Sequence, residues 1–265
     1  MAARRNGQAM HEWGIWALLL GSAFAAGVLN AIAGGGSFLT FPALVFAGVP
    51  PIAANATSAL AVSPGYLGST LGFRSELAAL PRTLLWREAT IAAVGGVAGA
   101  LLLLVTPAKL FAGVVPWLLL FATVLFALGP QLSRWAAVGR AADGAPHGGA
   151  RAVGLMVVSV YGGYFNGGLG ILLMALYTVL GESNLTTVNA LKNLCSLVLS
   201  LLSVAAFVLA GVIVWQQGIA MMLAATLGGY WGAQWSRLLP VQWLRRGVIC
   251  IGLGMTVAFF LKSRA

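Results

Sequence analysis

Acidic side chains are scarce in this 265-residue chain, five against fifteen Lys and Arg. Charged residues of both signs make up 8%, where a soluble domain carries ~25%. Water does not solvate a surface so poor in charge. With 60% hydrophobic residues and a mean hydropathy of +0.94, the chain reads as an all-α polytopic membrane protein. At ~20 apolar residues per span, its length holds about eight spans and leaves no room for a soluble catalytic domain. Glu12, Glu76, Glu88, Asp143 and Glu182 all fall at or near segment ends. Carriers of protons and cations use carboxylates inside the membrane, so this placement points to an anionic or neutral substrate.

Histidine and cysteine are just as sparse, two of each. His11 and His147 lie in polar ends, and Cys195 and Cys250 each stand alone in an apolar run. They read as packing residues rather than a disulfide or a metal pair. Without a His, Asp, Glu or Cys cluster in the spans, no metal, no cofactor and no enzymatic activity are expected. A net charge of +10 would suggest nucleic acid in a soluble protein. Here the basic residues gather in short loops and termini, where membrane topology puts them, so no nucleic-acid partner is expected.

Apolar segments are expected over 13–33, 37–48, 55–72, 88–106 and 108–128, and again over 152–165, 169–180, 186–211, 214–236 and 241–262. Phe73 to Glu88 reads as a polar loop carrying Arg74, Arg82 and Arg87, and 129–151 as a linker. Arg4-Arg5 ahead of an apolar run, with Ser22-Ala-Phe-Ala-Ala behind it, imitates a cleavable signal peptide. That reading is set aside because the segment belongs to a repeat. Trp13, Trp86, Trp215 and Trp243 sit at span ends, as interfacial anchors do.

Three consecutive glycines interrupt the first apolar stretch, in Asn30-Ala-Ile-Ala-Gly34-Gly35-Gly36-Ser37. An unbroken helix has no use for them, at ~1 kcal/mol each against alanine. A helix that stops, bares its backbone and restarts does. The second half repeats the arrangement in Tyr161-Gly-Gly-Tyr-Phe-Asn166-Gly167-Gly168-Leu169-Gly170. Aligning Gly34 with Gly167 also aligns Gly48 with Gly181 and, after one inserted residue, Asn55-Ala56 with Asn189-Ala190. The expectation is one transmembrane domain over 1–265, with repeats at about 13–128 and 152–262 and 9–10 helices if half-helices are counted. If each broken segment crosses once, Arg237, Arg245 and Arg246 fall opposite the other arginine-rich loops. If it counts twice, the repeats are inverted. Both topologies stay open.

Paired glycine breaks in corresponding positions point to a transporter's binding site. The short helices that begin near Ser37 and Leu169 would offer free N–H groups and the positive end of their dipole to an anion. The alternative is that the glycines serve helix packing, the role assigned to Gly95-Gly96-Val-Ala-Gly99 and Gly228-Gly229-Tyr-Trp-Gly232. Asn189, Lys192, Asn193 and Ser196 share one helix face, with Asn55, Thr57 and Ser58 as first-half counterparts. Lys192 either snorkels to the interface or compensates charge on a substrate. The candidate binding set is Asn30, Gly34, Gly35, Gly36, Ser37, Asn55, Thr57, Asn166, Gly167, Gly168, Asn189, Lys192 and Asn193.

The motif from Asn30 to Ser37, with Phe41-Pro42, Gly48-Val-Pro50 and Ala54-Asn55-Ala-Thr57, resembles the TauE/SafE family of sulfite exporters. So does Gly163-Tyr-Phe-Asn-Gly-Gly168-Leu-Gly170 with Asn189-Ala-Leu-Lys192-Asn193. The resemblance spans both repeats. It implies a multi-pass protein of the bacterial inner membrane that exports small sulfur oxoanions or organosulfonates without an ATPase of its own. The partners are then a small anionic substrate and the lipid bilayer, and a homodimer is compatible. A channel or carrier for another small solute, and a membrane assembly or scaffold protein, are the alternatives.

Overall fold

A computed structural model describes residues 2–32, 36–138, 148–182, 184–235 and 241–264. These form eleven helices and no strand among the described residues: α1 (Ala2–Ile32), α2 (Ser37–Phe46), α3 (Pro51–Gly72), α4 (Arg74–Ala78), α5 (Arg82–Val105), α6 (Ala108–Val138), α7 (Gly148–Tyr164), α8 (Leu169–Val179), α9 (Leu185–Leu209), α10 (Trp215–Trp235) and α11 (Val241–Arg264). Among them, Glu12–Asn30, Arg82–Val105, Ala108–Leu125 and Leu185–Leu209 are long and apolar enough to cross a membrane. Large apolar side chains cover the outside, Trp13, Trp86 and Leu209 being 75%, 73% and 89% exposed, a surface that lipid rather than water matches. Trp215 is exposed too, and Trp243 lies outside the described side chains.

Local chemistry sets the helix ends. Pro51 and Arg82 open α3 and α5 directly behind Pro50 and Pro81, whose φ near −55° already suits entry into a helix. Asn184 caps α9, its Oδ1 accepting from the Thr186 and Thr187 N–H at 2.9 and 3.3 Å. Each short helix stops at a left-handed glycine, Gly48 (φ 88°) after α2 and Gly181 (φ 103°) after α8. The following N–H then reaches back, Val49 to the Leu44 carbonyl and Glu182 to the Tyr177 carbonyl, both at 3.0 Å.

One expected loop, and the two ends of the expected linker, are helical instead, the linker's 139–147 lying outside the described residues. Arg74–Ala78 forms α4, and α5 begins at Arg82, so Glu88 lies two turns inside a helix rather than at its edge. α6 runs on to Val138 through the stretch expected as linker, and α7 starts at Gly148. In each case polar residues continue a helix beyond its apolar part, which hydropathy does not register.

Glycine governs the packing. α5 runs alongside α7 in the same direction, Glu88 meeting Arg151 and Gly95 meeting Ser159. A Cβ at Gly99 would overlap the Val160 carbonyl, and one at Gly163 the Gly96 carbonyl. α1 and α10 pack in the same manner, Gly27 against Ala225 and Gly228 against the Phe24 carbonyl. The two glycine clusters read from the sequence as packing residues have that role. Gly99→Val is therefore expected to cost ~1–3 kcal/mol by overpacking the α5–α7 seam. A thermal melt in detergent checks it; a midpoint unchanged from wild type would contradict the tight seam.

α7 and α8 form a hairpin that turns back on itself. A Cβ at Gly162 would stand 2.6 Å from Leu169 Cδ1, one at Gly154 the same distance from Leu176 Cδ1, and Arg151 lies over the Tyr177 ring. The chain also turns back at the first break, since a Cβ at Gly36 would lie 2.6 Å from the Ala26 carbonyl oxygen. A continuous helix would hold residues ten apart ~15 Å from each other.

Candidate functional site

The two breaks meet inside the molecule. Phe38 and Phe41 of α2 are 1% exposed, and Phe41 packs edge-on against Phe165 with ring centroids 5.5 Å apart. A Cβ at Gly168 would sit 3.4 Å from Ala122 Cβ and 3.7 Å from the Phe38 ring. Gly168 itself adopts φ +76°, a left-handed conformation that glycine takes without steric cost and that starts α8.

Both half-helices thus begin in the interior, but their donors are not all free. Asn30 Oδ1 accepts the Gly36 N–H at 2.7 Å, so the first break is capped by the asparagine of its own motif. The Leu39 and Thr40 N–H groups turn to the Gly36 carbonyl, at 3.0 and 3.5 Å. At the second break the Leu169 N–H points to the Asn166 carbonyl at 3.4 Å, and the Ile171 and Leu172 N–H groups to that of Gly168. Among the described residues the N–H groups of Ser37 and Gly170 have no acceptor. Two buried dipole ends with donors that lack an acceptor among the described residues suit an anion. Gly34 and Gly35 lie outside the described residues.

The other candidates divide into three groups. Asn166, Gly167 and Asn55 join the second break. Asn166 Oδ1 accepts from Tyr66 OH at 3.2 Å, the Gly167 carbonyl from Tyr161 OH at 2.7 Å, and Asn55 Nδ2 donates to the Tyr164 carbonyl at 3.1 Å. Thr57 turns elsewhere, its hydroxyl accepting the Val214 N–H at 3.0 Å before α10. Asn189 is half-buried and donates to the Leu185 carbonyl of its own helix at 2.9 Å. Lys192 is half-buried and Asn193 buried on α9, with no hydrogen-bond or ion-pair partner among the described residues. The tyrosines at the second break were missed because an aromatic residue in an apolar run reads as packing.

A second polar cluster lies away from the breaks, where α5, α7, α8 and α9 converge. Glu88 is fully buried and takes Arg151 Nε at 2.7 Å on one oxygen and Tyr177 OH at 2.6 Å on the other. Tyr177 OH also lies 3.1 Å from Cys195 Sγ, so this thiol is hydrogen-bonded as well as packed. The sequence expectation that every carboxylate sits at a segment edge is corrected here: Glu88 is inside, neutralised by an arginine 63 positions away. Its one sequence signal was its place ahead of an apolar run, which equally suits a helix end.

The family model of the sulfite exporters TauE/SafE matches residues 19–259. A probable membrane transporter protein of Haemophilus influenzae is 30% identical over 91% of this chain and 92% of its own length. The probable membrane transporter protein YfcA of Escherichia coli K12 is 30% identical over 82% of this chain and 80% of its own. The probable membrane transporter protein ORF9 of a Sinorhizobium species is 25% identical over 91% and 90%. No solved structure matches the chain. A match across nearly all of the helices, both breaks included, means that the chain belongs to the TauE/SafE sulfite exporter family.

Proposed function

We propose that this multi-pass membrane transporter exports small sulfur-containing anions (sulfite, sulfoacetate or related organosulfonates) across the bacterial inner membrane by alternating access. The observation that carries the reading is the meeting of the two glycine breaks, Phe38 of one against Gly168 of the other, with backbone donors at both that have no acceptor among the described residues. Backbone N–H groups of Ser37 and Gly170 bind the oxoanion oxygens. Asn55 and Asn166 hold the site together rather than touch the anion. Lys192, without a counter-charge among the described residues, compensates the substrate's charge from α9.

The helix pairing supports two repeats. α1 packs on α10 as α7 packs on α5, α3 on α10 as α9 on α5, and α6 on α8 as α11 on α2. α3 also packs on its counterpart α9, and α6 on its counterpart α11. In this reading each half is one returning hairpin followed by three crossing helices, an odd number, and the repeats are inverted. The start of α5 with Arg74 and Arg82, the start of α7 and the start of α11 then share one side, and the positive-inside bias makes that side cytoplasmic.

Proteoliposomes test the function. An imposed potential is expected to drive labelled sulfite or sulfoacetate, and Lys192→Ala to slow it at least tenfold. If sealed vesicles with wild-type protein move neither anion, the substrate class is wrong.

A further inference from the structure

A cavity of about 380 Å³ lies between α1, α3 and α10, lined by Gly27, Asn30, Gly65, Ser69, Thr226 and Tyr230 among others. Its size is at the lower end of ligand pockets, ~300–1,000 Å³. We infer that this cavity is a binding vestibule through which a small oxoanion reaches the breaks from the arginine-rich side; the inference rests on the transport reading above.

Asn30 fixes the polarity of the inner end. Its Oδ1 is held by the Gly36 N–H, which settles the orientation of the amide. The Nδ2 donors are thereby turned towards α3, where a Cβ at Gly65 would stand 3.9 Å from Nδ2. The residue that caps the first break thus also presents N–H donors to the cavity. Ser69 and Tyr230 add neutral hydroxyls, and no carboxylate lines the space among the described residues. Neutral donors hold an anion without trapping it.

The outer end has the matching charge. α3 leaves the cavity past Ser69, ends at Gly72, and leads to Arg74 and then Arg82 at the start of α5. Arginines at a cleft mouth raise the local concentration of anions. Under the repeat spacing, Gly65 and Gly68 correspond to Leu199 and Leu202 of α9. Leu199 fills the equivalent space, its Cγ 3.0 Å from where a Cβ at Gly96 would stand. Glycine on α3 and leucine on α9 leave the first-repeat path open and the second-repeat path filled. Pro64, at the cavity wall, has no N–H for the Leu60 carbonyl, which Ser63 Oγ takes at 2.8 Å instead.

The test uses positions that tolerate a side chain. A Cβ at Gly65 meets nothing nearer than 3.9 Å, and one at Gly21, outside the cavity, meets nothing within 4 Å. Gly65→Leu is expected to lower sulfoacetate flux at least tenfold with an unchanged melting curve, and Gly21→Leu to leave flux intact. In parallel, Ser69→Cys on a Cys250→Ser background is labelled in inverted vesicles by a membrane-impermeant maleimide, and sulfoacetate should slow the labelling. Wild-type flux persisting in Gly65→Leu overturns the vestibule and leaves the export reading standing. Flux lost without protection at Ser69→Cys overturns it as a binding site. If the wild type shows neither flux nor protection, both readings fall.

Discussion

Arg151→Met is expected to lower the thermal midpoint of the detergent-solubilised protein by about 10 °C. Glu88 is fully buried, and Arg151 is its ion-pair partner at 2.7 Å. Forming a buried pair gives little net stability, because two ions must leave water. Removing one partner strands the other at ~3–5 kcal/mol, and each kcal/mol moves the midpoint of a chain this size by roughly 2–4 °C. Tyr177 OH still donates to Glu88, which trims the loss without neutralising the charge. Glu88→Met should be comparably harmful, since it leaves the guanidinium against Tyr177 with no carboxylate. The double variant Glu88→Met/Arg151→Leu should recover most of the stability, because well-packed apolar residues can replace a buried pair at little cost. Aligned on the Gly95 and Gly228 clusters, the position of Glu88 is taken in the other half by the fully buried Met221. Three melting curves decide the matter. A double variant no better than the singles would show that the pair does more than neutralise itself.

Gly168→Val should abolish transport, by well over tenfold, while the protein still inserts. At φ +76° an L-residue costs ~1–2 kcal/mol, and a β-branched one more. A Cβ there would meet Ala122 only at contact distance, 3.4 Å, so the backbone strain is the main effect. Relieving it moves the start of α8, and with it the Gly170 N–H, off the proposed anion position. A displacement of about 1 Å at a positioning group can cost on the order of a hundredfold in rate. Gly168→Asn discriminates, since asparagine tolerates the left-handed region better than valine. Its flux should fall between wild type and Gly168→Val. Equal flux in all three, measured as initial uptake at matched protein density, would remove the second break from the site.

Legibility in the sequence followed the physics of each signal. The half-helices were legible because Gly34 to Gly36 and Gly167-Gly168 interrupt apolar runs, and a break in hydropathy is a local property. Their lengths were close as well, α2 and α8 ending at the left-handed Gly48 and Gly181. The residues that meet around the breaks were less so. Tyr66 reaches Asn166 across 100 positions and Asn55 reaches Tyr164 across 109, and neither pair has a local signature. Thr57 and Asn189 share faces with the right neighbours yet spend their polar groups on the Val214 N–H and the Leu185 carbonyl.

By itself the sequence determined the helical membrane class, the two interrupted segments and the family, because composition, periodicity and glycine placement act within a few turns of chain. Tertiary structure decided that α8 folds back along α7, that Glu88 goes inside with Arg151, and that Asn30 caps Gly36 while facing a cavity on α3. Those outcomes depend on which helices approach within contact distance, and close approach is set by matching glycines on two helices far apart in the chain.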